Sequence, residues 1–113
     1  MDKLTTYQNL IIDYLQAFAK NSKLANMPDV ESHVIIDREN KHFQLLRVGW
    51  QGKRFVFGVV FHFQIKNGKI WIHQNITEHE VAEAFLEKGV PPEEIVLGFR
   101  SPFARQYTGL GIG

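Results

Sequence analysis

Residues 54–74, Arg-Phe-Val-Phe-Gly-Val-Val-Phe-His-Phe-Gln-Ile-Lys-Asn-Gly-Lys-Ile-Trp-Ile-His-Gln, decide the fold. Phe55, Phe57, Val59, Phe61, Phe63 and Ile65 fall at every second position, the pattern of a long half-buried strand from Arg54 to Lys66. Asn67-Gly68 follows, a pair suited to a type I′ turn because both central residues of that turn need positive φ, and Lys69 to Gln74 returns as the next strand. A two-residue turn sets Lys66 opposite Lys69, Gln64 opposite Trp71, His62 opposite His73, Phe63 opposite Ile72 and Ile65 opposite Ile70. One face then collects Phe55, Phe57, Val59, Phe61, Phe63, Ile65, Ile70 and Ile72. It is the expected core side, since a slip of one residue would expose them all. The other face holds Val56, Val60, His62, Trp71 and His73, and a turn at Gln51-Gly52 adds Phe43, Leu45 and Arg47 from the preceding strand. This mixed face is too apolar for full solvation, so the C-terminal segment, a second subunit or another protein is expected to cover it.

Working outward, Leu4, Tyr7, Leu10, Ile11, Tyr14, Leu15 and Phe18 recur at spacings of three and four and predict an amphipathic helix over residues 3–20. Asn21, Ser22, Asn26, Pro28 and Asp29 break that period, so residues 21–30 are expected to form a connecting loop. Glu31 to Asp37 and His42 to Trp50 read as two strands joined by the polar turn Asp37-Arg38-Glu39-Asn40. After the long hairpin, Thr77 and Glu80 have capping-box spacing, and Val81, Ala82, Phe85 and Leu86 predict a second helix that Gly89 ends. Residues 93–99 suggest a short turn and a brief strand. Ser101-Pro102 requires extended backbone at Ser101, and the glycines after Tyr107 suggest a flexible end. The expected fold is a single α+β domain over residues 1–113: an antiparallel sheet of about four strands, arranged as a meander with a long central hairpin, with an N-terminal helix and a second helix after the sheet.

Thirteen basic against twelve acidic residues give a formal charge of +1, which argues against a broad phosphate-binding surface, so DNA contact is expected to be indirect or weak. The absence of cysteine excludes disulfides and thiolate metal sites. The apolar stretch from Phe55 to Ile65 is broken by Gly58, His62 and Gln64, well short of the roughly 18–20 residues a membrane span needs. No charged, apolar leader precedes the first helix, and the expectation is a soluble cytoplasmic protein with no membrane role.

Catalytic signatures are weak throughout. His62 and His73 on adjacent strands could begin a metal site, but two ligands do not complete one, and a third from His33, His42 or His79 depends on geometry the sequence leaves open. Glu78, Glu80, Glu83 and Glu87 read as the solvated face of the second helix, and none of Ser22, Ser32 or Ser101 sits in a strand-to-helix elbow. The stronger candidates are Arg100 and Arg105, which stand among Phe99, Phe103 and Tyr107: guanidinium binds carboxylate or phosphate bidentately and stacks on aromatic rings. The same arginines could instead tie the loop to the body of the domain.

Gly49-Trp50 with its following basic turn, Gly68-Lys69-Ile70-Trp71-Ile72, Gly89-Val90-Pro91, Ile95-Val96-Leu97-Gly98-Phe99 and Arg105-Gln106-Tyr107-Thr108 stand in this order as they do in the XisI family, which the chain resembles over nearly its whole length. Family members occur mainly in cyanobacteria and are named as controlling factors for excision of the fdxN element, a DNA segment removed during development. They usually accompany a XisH-type protein that resembles nucleases. Two places depart from the family pattern: Ser101-Pro102, where two prolines are more usual, and the glycine-rich ending. The family brings no established catalytic residue or cofactor. The resemblance implies a non-enzymatic accessory protein that binds a XisH-type partner and influences site-specific excision. His62, Trp71, His73, Arg100, Phe103, Arg105 and Tyr107 are the expected partner-binding residues, and self-association is expected through the same mixed face. A direct DNA-binding, excisionase-like architectural factor is the alternative, resting on Lys53, Arg54, Lys66, Lys69, Arg100 and Arg105. A histidine- or metal-dependent enzyme ranks third.

Overall fold

The computed structural model describes residues 2–21 and 28–113, so most of the loop expected at residues 21–30 lies outside the described residues. Helix α1 spans Lys3–Asn21 and buries Tyr7, Ile11, Ile12 and Leu15. Its first turn is capped by Asp2, whose carboxylate accepts the Thr5 N–H at 2.7 Å. Strands β1 (Val30–Asp37), β2 (His42–Gln51), β3 (Arg54–Lys66) and β4 (Lys69–Asn75) form an antiparallel meander. Its β3–β4 turn has Asn67 at φ 55° and Gly68 at φ 72°, as a type I′ turn requires. Turn residues Gly52 and Lys53 join β2 to β3, with Gln51 opposite Arg54.

A fifth strand, β5 (Ile95–Leu97), pairs in parallel with β4 and completes the sheet order β1-β2-β3-β4-β5. Its direction follows from the crossover: α2 (Val81–Glu87) lies between β4 and β5 and carries the chain back to the same end of the sheet. Gly89 ends α2 at φ 96°, and its N–H and that of Val90 bond the Leu86 and Phe85 carbonyls in a Schellman arrangement. The capping box at Thr77 does not form. The Thr77 hydroxyl bonds Asn75 and accepts the His79 N–H instead, so α2 begins without a side-chain cap.

Both helices pack on one face of the sheet. Tyr14 of α1 meets Phe61, Phe63 and Phe85 edge to face, which ties α1, β3 and α2 into one core. The face assignment expected from strict alternation along β3 holds only for its second half. Leu45 pairs with Phe61 but Leu46 pairs with Val59, leaving Val60 as an extra residue in β3. This β-bulge inverts the alternation. Val60, Phe61, Phe63 and Ile65 point into the helix-covered core together with Phe43 and Leu45, whereas Phe55 and Phe57 emerge on the opposite face and stay exposed. Phe43, Leu45, Arg47, Val56 and Val60 therefore do not join His62 on the mixed face; its neighbours from β2 are His42 and Gln44. A second irregularity leaves His73 as the extra residue of β4, so His62 faces Gln74 rather than His73.

The glycine-rich end is pinned to the sheet. Gly111 forms a parallel bridge with Val96, its N–H bonds the Ile95 carbonyl at 2.7 Å, and Lys69 donates to the Gly113 carbonyl at 2.6 Å. Glycine at 111 permits this approach, because a Cβ there would stand 2.5 Å from the Glu93 carbonyl oxygen. Among the described residues no helix is long and apolar enough to cross a membrane.

Candidate functional site

The site lies on the face away from the helices, where β4 meets the C-terminal segment. Trp71 follows Ile70 on β4 and points opposite to it, so its indole stands on this second face. Its ring N–H donates to the Lys66 carbonyl at 3.2 Å, and the Lys66 ammonium and Arg105 guanidinium lie 4.8 and 5.0 Å from the ring centroid. His73 stacks beside it with centroids 6.0 Å apart. These contacts leave the indole 7% exposed, which removes it from the surface open to a partner.

Arg105 reaches Trp71 because Ser101-Pro102 starts a short helix, α3 (Pro102–Arg105). Ser101 is extended, as the following proline requires, and its hydroxyl accepts the Ala104 N–H at 3.2 Å. Within this turn, Phe103 and Tyr107 are four residues apart and share a face, their rings meeting edge to face at 5.5 Å. Arg105, halfway between them in sequence, turns towards the sheet and also reaches the Gly98 carbonyl at 3.5 Å. The result is a sorted loop: Arg105 ties it down over Trp71, while Phe103 and Tyr107 stand 68% and 74% exposed. Arg100 and Phe99 are exposed beside them, with the guanidinium 5.2 Å from the phenyl centroid.

Towards the centre of the sheet, His42, His62 and His73 form a row of imidazoles. His62 Nδ1 lies 2.9 Å from Gln44 Oε1 and its Nε2 lies 2.8 Å from His42 Nδ1. A carbonyl oxygen only accepts, so His62 donates through Nδ1, and in neutral His62 the Nε2 atom accepts from His42 Nδ1. His73 Nε2 donates to Gln64 Oε1 at 2.8 Å by the same logic. Burial holds both His62 and His73 below the ordinary histidine range. The neighbouring charges of His42 and His73 add to the effect at His62, and those of His42, Lys66 and Arg105 add to it at His73. Two nitrogens of the row, His62 Nδ1 and His73 Nε2, engage side-chain amides, and His62 Nε2 engages His42, which makes the row a hydrogen-bonded ladder. His33 bonds Glu31 on β1 and His79 packs edge-on against Phe18, so neither joins the row. Among the described residues no group of three or more His, Asp or Glu side chains converges as a metal cage.

Of the seven residues singled out in the sequence, the structure joins Trp71, His73 and Arg105 in one cluster with His62 beside it, and places Arg100, Phe103 and Tyr107 outside it. Sequence reasoning missed Gln44, Gln64 and His42 as the partners that define the ladder. It also placed Phe55 and Phe57 in the core. One signal for the bulge was present: Gly58 inside a strand, followed by two adjacent valines, marks a place where alternation often breaks.

The fold and site together define a small α+β domain with a helix-backed sheet and an aromatic, arginine-bearing surface. The XisI protein family model matches residues 1–112, and the chain belongs to that family. It is similar to the crystal structure of a XisI-like protein from Anabaena variabilis, with 43% identity over 97% of this chain and 99% of that one and a TM-score of 0.89. It is also similar to the fdxN element excision controlling factor XisI from Anabaena variabilis, with 34% identity over 99% of this chain and 100% of that one and a TM-score of 0.84. No curated protein matches the chain.

Proposed function

We propose that this chain is a non-enzymatic accessory protein in the control of DNA-element excision, and that it binds a nuclease-like XisH-type partner through its C-terminal aromatic and arginine surface. The role in excision control rests on the similarity to the Anabaena variabilis excision controlling factor. The observation that carries the partner reading is the exposed Phe103–Tyr107 pair beside Arg100, held on a turn that is capped by Ser101 and pinned through Arg105. Aromatic rings lose little conformational entropy on docking and arginine adds bidentate hydrogen bonding, and such residues dominate interface energetics. Trp71, His62 and His73 serve this reading from behind, by positioning Arg105 and the loop.

Coexpression with a XisH-type protein tests it. The two chains are expected to copurify, and a Phe103→Ala, Tyr107→Ala double variant is expected to bind at least about tenfold more weakly while melting at the wild-type temperature. Absence of a complex, or undiminished binding by the double variant, overturns the proposal. A mobility shift of duplex DNA by the chain alone, falling steeply with salt, supports the direct DNA-binding reading instead.

A further inference from the structure

The outer half of the β2–β3 hairpin carries the largest exposed aromatic group outside the C-terminal turn. Trp50, Phe55 and Phe57 are 54%, 51% and 66% exposed, and their rings run in a continuous row with centroid spacings of 5.1 and 6.2 Å. The bulge at Val60 put them there. The same stretch of β3 has a free edge, because β4 pairs only with Phe61 to Lys66 and leaves residues 54–58 bonded to β2 alone.

The direction of each backbone group on that edge follows from the hairpin. Gln51 and Arg54 close a two-residue turn and exchange hydrogen bonds, so Arg54, Val56 and Gly58 direct their N–H and C=O groups to β2. Phe55 and Phe57 direct theirs outward. Val59, next in that outward series, has its carbonyl taken by the Gln74 side chain, which agrees with this parity. Four backbone groups of two aromatic residues are thus presented on an open strand, a template for another strand.

We propose that this edge and its ring row are the interface through which two copies of the chain pair, antiparallel about a two-fold axis at Val56. The edge is self-complementary in that register. Phe55 of one copy faces Phe57 of the other, each pair exchanges two N–H···O bonds, and all four outward groups of each copy are satisfied. The rings of both copies meet on one face, next to the two Trp50 side chains. The partner's turn, at Gly52 and Lys53, reaches the end of β4, where Ile76 is exposed and Glu78 and Glu80 follow in sequence. Lys53 and Arg54 of each copy thereby approach acidic residues of the other.

The area is adequate. Covering the exposed halves of three rings that each carry about 150–250 Å² buries on the order of 350 Å² per copy. Ile76, Val59 and the backbone edge extend this towards the roughly 800 Å² per copy of a standard interface. The surface lies on a different part of the domain from Phe103 and Tyr107, so its test is independent of the XisH-type partner reading.

The chain without any partner should sediment with about twice its 13.1 kDa mass and dissociate on dilution. Phe57→Lys, at an exposed position, should weaken the dimer by at least about tenfold with an unchanged circular dichroism spectrum. Val56→Cys supplies the only thiol in a chain without cysteine, and the two-fold axis brings its two copies to a Cα separation of about 4.5 Å, within disulfide reach. Oxidation should give a covalent dimer, whereas Val48→Cys on β2 should not. A monomer at every concentration, a dimer that survives Phe57→Lys, or a dimer that Val56→Cys fails to cross-link overturns the inference.

Discussion

Arg105 shows how one side chain converts a loop into a platform. Its guanidinium lies over the Trp71 indole and reaches the Gly98 carbonyl, so it links α3, β4 and the end of β5. Gly98 makes room for this arrangement, because a Cβ there would stand 2.5 Å from His73 Nδ1 and displace the ring that stacks on Trp71. A cation over an indole contributes about 0.5–2 kcal/mol, most when desolvated. Arg105→Ala should lower the unfolding free energy by about 1–2 kcal/mol in urea titration, and Arg105→Lys should recover only part, because an ammonium lacks the planar guanidinium that stacks. An undiminished unfolding free energy for Arg105→Ala would show that the loop is held by Ser101 and the Gly111 bridge alone. At this scale the residue types were legible in the sequence and their partners were not. Arg105 and Trp71 are 34 positions apart, and no local spacing says which of several aromatics a guanidinium will cover.

At the scale of elements, turn chemistry proved the reliable guide. Asn67-Gly68 set the β3–β4 register from Lys66↔Lys69 to Phe63↔Ile72 as expected, since both residues adopt the positive φ that a type I′ turn demands. Gly68→Ala should cost roughly 1–2 kcal/mol, the penalty of a side chain in the left-handed region, and chemical denaturation measures it. A cost near zero would mean that the hairpin is set by its strands rather than by its turn. Further from the turn the register expectation failed, at His73 in β4 and at Val60 in β3. Each bulge adds one residue, and one residue is half the strand period, so every side chain beyond it changes face. That single shift moved Phe43, Leu45 and Val60 into the core and put Phe55 and Phe57 on the surface.

For the whole molecule, the two sheet faces have different duties. The face under α1 and α2 is dry core, and the opposite face carries the imidazole ladder in its middle with the C-terminal segment over Trp71. The ladder makes stability depend on pH. Burial lowers the folded-state values of His62 and His73 below the ordinary value of 6.5, so the unfolded chain binds more protons in that interval. Their contribution is complete above pH 6.5 and is lost as pH falls through 6.5 towards the folded values. The urea midpoint should therefore decline between about pH 7 and pH 5.5, a window above the range in which carboxylates titrate. His62→Gln should flatten that decline, and an equal slope in the variant would place the pH sensitivity elsewhere.

By itself the sequence determined the two helices, the four-stranded meander with its central turn, and the family, because each follows from short-range periodicity, turn residues or ordered motifs. Tertiary structure alone decided the parallel fifth strand, the anchoring of the glycine-rich end, and the sorting of the C-terminal residues into an Arg105 turned onto Trp71 and an exposed Phe103 and Tyr107. It also decided which half of β3 faces the helices. These outcomes depend on long-range packing: Val60 bulges into the core that α1 and α2 cover, and Trp71 is covered only because a segment some 30 residues later in the chain returns across it.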